Sequence, residues 1–126
     1  MNIEIDHIGI AVKTLDDRPP FWTALGLLRG EDESLPDDGV IARFLSTSGE
    51  TSEPVRIELL EATGPDTPIG KFIDRRGEGV QQIAVKTIDI VSTISQLKSL
   101  GIRMINEVPI RAVSYTHLTL PTICSV

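Results

Sequence analysis

The stretch "IAVKTLD" (Ile10–Asp16) returns as "IAVKTID" (Ile83–Asp89), with six of seven residues identical. Both copies cross from an alternating apolar run into a segment with helical spacing. Around the first copy, "IEIDHIGIAVK" reads as a strand. Ile8, Ile10 and Val12 fall on one face and His7, Gly9 and Ala11 on the other, because successive strand side chains alternate. Around the second, "GVQQIAVK" reads as a strand with Gln82 and Ala84 on one face. Two related strand-to-helix starts in a chain of 126 residues predict a duplicated α+β domain of paired βαβββ modules around a cleft.

Working outward, Thr14 or Asp16 caps a short helix that has Pro19 and Pro20 near its first turn and Gly26 at its end. "GVIARFLSTS" and "VRIELLEAT" are further strands, with the turn-forming "GETSEP" between them. The charged runs "DDRP" and "EDESLPDD" read as solvated loops. In "PDTPIGKFIDRRGEG", Thr67 is the expected helix cap, Pro68 the first helical residue and Gly77 the stop. "TIDIVSTISQLKSLG" is a helix with Ile90, Ile94 and Leu97 in one stripe and Gly101 as terminator, and "IRMINEVPI" is a strand. Module one thus spans about residues 1–66 and module two about 78–112, the second lacking two of its strands.

The end of the chain, "VSYTHLTLPTICSV" (Val113–Val126), carries no Asp, Glu, Lys or Arg, whereas 24% of the chain is charged. Its β-branched residues suit a terminal strand. It also resembles one reading frame of a transposase-based sequencing adapter, which ends on a valine codon and a stop. The expectation is therefore a domain over residues 1–112 and a foreign tail over 113–126, which removes Cys124, the sole cysteine. The net charge of −6 argues against non-specific nucleic-acid binding, which needs a basic surface. No apolar run has membrane-spanning length, and "MNIEIDHIGIAV" lacks the basic start of a signal peptide, so neither a membrane nor secretion is expected. Without a disulfide framework, a cytoplasmic location is the expectation.

A cleft lined by both modules suits a ligand or a metal. His7 shares its face with two small residues, Gly9 and Ala11, which leave room beside it. In "VRIELLE", Glu58 shares a face with Arg56 and Leu60. A histidine, a carboxylate and the amide of Gln82, one per strand, form an N/O donor set suited to Mn²⁺, Co²⁺ or Mg²⁺. Other roles stay open on spacing alone. A strand histidine also serves as a hydrogen-bonded structural residue, and a Glu between apolar neighbours also fits a solvent-facing position.

Three stretches, "IDHIGIAVKTLDD", "IELLEATGPDTPIGKFIDRRGEGV" and "QQIAVKTIDI", together resemble the methylmalonyl-CoA epimerase family of the vicinal oxygen chelate superfamily, which also holds glyoxalase I and extradiol dioxygenases. The resemblance runs from about Ile3 to Arg111. It implies an isomerase acting on an acyl-CoA, a divalent metal ion and a homodimer. By resemblance, a cation bound to thioester and carboxylate oxygens stabilises an enolate while bases remove and return the proton. His7 matches the family's first metal ligand and Glu58 a second. Gln82 stands where the family motif "GEGIHHIA" has its second histidine. The family's last ligand, a glutamate, has no match here, and Ala42 occupies the position of a base proposed in some relatives, so no catalytic base is named. Two rivals remain: another enzyme of the superfamily, such as a glyoxalase-type isomerase or a lyase, and a metal-free ligand-binding module.

Overall fold

The structure, a computed structural model, describes residues 3–16, 21–47 and 55–103, and the strand backbone of 117–120. Along the chain run β1 (Ile3–Val12), α1 (Phe21–Ala24), β2 (Leu28–Leu35), β3 (Val40–Ser46), β4 (Arg56–Ala62), α2 (Pro68–Arg76), β5 (Gly79–Thr87), α3 (Ile90–Ser99) and β6 (His117–Leu120). The six strands form one sheet in the order β2-β3-β4-β1-β5-β6.

The repeat sets the centre of that sheet. β1 runs antiparallel to β5, and Gly9 faces Gln82 across the pair. The step along the chain that takes Ile10 to Ile83 also takes Gly9 to Gln82. Equivalent residues of the two copies therefore meet at the point where a pseudo-twofold would cross the sheet. On its other side β1 pairs in parallel with β4, which places Glu58 beside the same Gly9. This is the juxtaposition that the expected paired modules require. β6 departs from it. It pairs antiparallel with β5, whereas the repeat asks for a parallel strand at the place equivalent to β4.

α2 follows the sequence closely. The Thr67 hydroxyl accepts from the Gly70 amide, Pro68 opens the helix, and Gly77 ends it with φ +76°. The cap contributes about 1 kcal/mol. Through Ile69, α2 buries Ala11, Val40, Ala42 and Leu60, with Phe72 and Ile73 at the edge of the cluster. This core lies on the face of β1 that carries His7. α3 begins at its cap Asp89. Its expected stripe, Ile90, Ile94 and Leu97, packs on Val85, one residue out of phase with Ala84 and so on the other face.

Two expectations need correction. "EDESLPDD" is not wholly a loop: Glu31–Leu35 belong to β2, and only the residues after Leu35 turn. A charged edge strand is stable here because Arg43 of β3 grips Asp32 with two hydrogen bonds of 2.6 and 2.8 Å, and charge on an edge also discourages pairing with other chains. Neither Thr14 nor Asp16 caps α1, which starts only at Phe21. Asp16 instead meets Arg43 at 3.0 Å. "GETSEP", most of "IRMINEVPI", and the stretch Val113–Thr116 lie outside the described residues, as do Asp17–Pro19 of "DDRP" and the following Pro20.

Candidate functional site

The three residues singled out as metal ligands come from three adjacent strands and converge. Glu58 Oε1 on β4 is 3.4 Å from His7 Nε2 on β1. The same oxygen accepts from Gln82 Nε2 on β5 at 3.3 Å. Gly9 keeps this possible: a Cβ there would lie 2.5 Å from Gln82 Cγ, so the missing side chain leaves the space that Gln82 fills. Glu58 is 6% exposed and His7 is 7% exposed, which rules out the solvent-facing alternative for Glu58.

Burial governs the electrostatics. It pushes the Glu58 carboxyl up to about 7, against the opposing pull of the Arg56 charge and of the Gln82 hydrogen bond. A carboxylate removed from water costs free energy unless a cation or proton neutralises it. An acid that meets an imidazole nitrogen at 3.4 Å and a side-chain amide at 3.3 Å can share a proton or help enclose a cation. Which end of the Gln82 amide faces Glu58 follows what lies between them, since its oxygen and nitrogen are interchangeable in shape.

Behind His7 stands a group that alternation along the strand hides. His7 Nδ1 is 2.6 Å from Asp6 Oδ2, and the same Asp6 oxygen accepts from Arg56 Nη2 at 2.6 Å. Consecutive strand residues ordinarily point to opposite faces. The β1–β5 register shifts between Ile5 and His7, and this irregularity turns Asp6 to the side of His7, so both are buried. A β-bulge does this by adding one unpaired residue to one strand. Phe44 of β3 completes the shell. Its ring meets the His7 ring edge-on at 5.4 Å between centroids, and the Arg56 guanidinium lies 4.1 Å over its face. Asp6 and Phe44 were missed because periodicity sees neither bulges nor neighbours across the sheet. Ala42, the position of a base in some relatives, is fully buried in the α2 core.

A cavity of about 960 Å³ lies elsewhere, lined by Ile10, Val12, Leu45, Leu59, Phe21 and Trp22, among others. By strand alternation its β1 residues face away from His7, so it is separate from the three converging donors. Among the described residues no helix is long and apolar enough to cross a membrane.

This sheet, with its central pair of related strands and its site on one face, has known counterparts. The chain belongs to the glyoxalase/bleomycin resistance protein/dioxygenase superfamily, whose pattern matches residues 6–117. Among solved structures it is similar to a methylmalonyl-CoA epimerase in complex with methylmalonyl-CoA and NH₄⁺, with TM-score 0.76 and 30% identity over 96% of this chain and 87% of that one. It is also similar to the Mycobacterium tuberculosis methylmalonyl-CoA epimerase, with TM-score 0.77 and 29% identity over 91% of this chain and 75% of that one. The bovine mitochondrial methylmalonyl-CoA epimerase is 30% identical over 82% of this chain, which spans 57% of that protein's length. By family and by these relatives the intact protein is an isomerase of the epimerase kind.

Proposed function

We propose that the protein epimerises methylmalonyl-CoA with a divalent cation held by His7, Glu58 and Gln82. The observation that carries this is the approach of His7 Nε2 and the Gln82 amide to one buried Glu58 oxygen, at 3.4 and 3.3 Å. The donor set fits such an ion. It offers one imidazole nitrogen and oxygens from a carboxylate and, after its amide turns, Gln82. These ligands suit Mn²⁺, Co²⁺ or Mg²⁺. A buried carboxyl raised to about 7 is also one that a cation would keep ionised at neutral pH. When bound, the ion supplies Lewis-acid stabilisation of negative charge developing on the thioester oxygen, an effect of several kcal/mol.

The chain's own residues bind and orient. Phe44 packs edge-on against His7, and Ala11, Leu60 and Ala84 on the same three strands are buried. Lys71, Arg75 and Arg76 on α2 are exposed cations suited to the phosphates of CoA. The proton-carrying group is one that the resemblance puts in the second module, beyond the residues it matches here. We infer that residues 113–126 are foreign to the domain. The antiparallel seating of β6 beside β5 supports this.

The test takes the gene read past the codon for Ala112 and the protein it encodes. Given Mn²⁺ or Co²⁺, that protein is expected to wash solvent deuterium into the α-carbon of methylmalonyl-CoA and to stop when the ion is chelated. The chain of 126 residues is expected to bind the ion without exchange. Turnover of a hemithioacetal instead would favour a glyoxalase-type isomerase. A protein that stays metal-free in excess Mn²⁺ would favour a ligand-binding module. A genomic frame that itself encodes "VSYTHLTLPTICSV" and a stop would remove the case for a foreign tail.

A further inference from the structure

We propose that Asp6, clamped by Arg56, is a positioning residue that fixes His7 in its Nδ1–H tautomer and so turns the Nε2 lone pair toward Glu58 and Gln82. This deepens the metal-site reading above and rests on it for its consequence, though not for its geometry.

The tautomer follows from who can donate. An ionised Asp6 carboxylate accepts only. It is held in place by Arg56, whose Nη2 sits 2.6 Å from the same oxygen that meets His7 Nδ1. At 2.6 Å that contact requires a proton on Nδ1. A neutral imidazole carries one proton, so Nε2 is bare, and Nε2 is the nitrogen that lies 3.4 Å from Glu58. A carboxylate behind a ligating histidine sets both its tautomer and its ring angle and raises its basicity.

The clamp is built rather than incidental. Asp6 reaches His7 only because the strand register breaks between Ile5 and His7. Regular alternation would send the two side chains to opposite faces. Asp6 is 3% exposed, a costly position for a carboxylate that only paired partners offset. Phe44 fixes the remaining freedom, with its edge contact to the imidazole and its face under the Arg56 guanidinium. The fold thus places an acid and a cation at Nδ1 of His7, an aromatic ring against the imidazole, and Glu58 3.4 Å from Nε2.

The experiment reads the tautomer directly. Ring ¹⁵N NMR of the metal-free chain, with the two histidines told apart by a His117→Gln variant, is expected to find His7 protonated on Nδ1. The double variant Asp6→Leu/Arg56→Met removes the clamp without leaving a lone buried charge. It is expected to lose that preference and to bind Mn²⁺ about 10- to 100-fold more weakly, with far-UV circular dichroism unchanged. If the double variant does not fold, Asp6→Asn, a weaker neutral acceptor, is expected to weaken Mn²⁺ binding in the same direction. Finding His7 protonated on Nε2 in the parent chain overturns the proposal. So does a folded variant with the parent's tautomer and affinity. A parent chain with Nδ1–H that takes up no Mn²⁺ supports the clamp and overturns the metal reading instead.

Discussion

At Glu58, burial and charge pull in opposite directions, and the carboxyl ends near neutrality. Gln82 donates to it at 3.3 Å, which partly satisfies a group that water no longer reaches. Gln82 is also where this chain departs from the family pattern. A carboxamide oxygen binds hard cations but lacks the basicity of imidazole. Gln82→His is therefore expected to raise Co²⁺ affinity at least ten-fold, about 1.4 kcal/mol, with a smaller gain for Mg²⁺. Isothermal titration with both ions checks it, and equal gains would mean that donor softness is not what Gln82 changes. His7 and Glu58 were legible in the sequence because strand alternation carried them to one face. Asp6 was not, because a bulge exists only in the pairing of two strands and leaves no mark on one of them.

Among the elements, α2 was the most legible. Its cap, first proline and terminating glycine are local signals, and Thr67, Pro68 and Gly77 act at their expected places. β2 was the least legible. Its acidic residues look like a loop until Arg43 of β3 meets Asp32, a contact 11 residues away in sequence. α2 also holds a glycine that helix propensity alone would replace. A Cβ on Gly70 would lie 2.3 Å from the Gly64 carbonyl oxygen and 2.9 Å from that of Pro65. Alanine gains about 1 kcal/mol over glycine inside a helix. Pressing against backbone that cannot swing away costs about 1–3 kcal/mol or more. The clash wins, so Gly70→Ala is expected to lower stability by roughly 1–2 kcal/mol. Urea unfolding followed by circular dichroism measures it. A more stable variant would show that the Thr63–Thr67 turn yields easily. At Gly9 the atoms nearest such a Cβ belong to the Gln82 side chain, with Cγ at 2.5 Å. Gly9→Ala is therefore expected to push Gln82 out of the site, seen as weaker Mn²⁺ uptake together with a lower melting temperature.

For the whole molecule, duplication was legible from a seven-residue stretch repeated at six positions, because two copies of one strand that pair antiparallel must set equivalent residues face to face. That meeting at Gly9 and Gln82 puts the acidic site at the middle of the sheet, where its protonation bears on the stability of the whole fold. The Glu58 carboxyl, ordinarily near 4.5, titrates near 7 in the folded chain. The folded state holds that proton more tightly than the unfolded state does. Its contribution to stability is therefore complete below about 4.5 and is lost as pH rises through about 7. The gap corresponds to about 3 kcal/mol. Asp32 works the other way: the Arg43 hydrogen bond holds its carboxyl below the ordinary 3.8. Its contribution is present above that value and lost only as pH falls beneath it, outside the window in which Glu58 titrates. The metal-free protein is thus expected to melt several degrees higher near pH 5 than near pH 8. Glu58→Gln removes the ionising group and is expected to flatten that slope by raising the melting temperature near pH 8. Saturating Mn²⁺ is expected to raise it there in the parent chain and not in the variant, because a cation held at Glu58 would offset its buried charge as a proton does. Calorimetry of the two proteins at both pH values, with and without Mn²⁺, gives the comparison. A parent slope matched by Glu58→Gln would assign the pH dependence to other carboxyls and leave Glu58 ionised in its buried place.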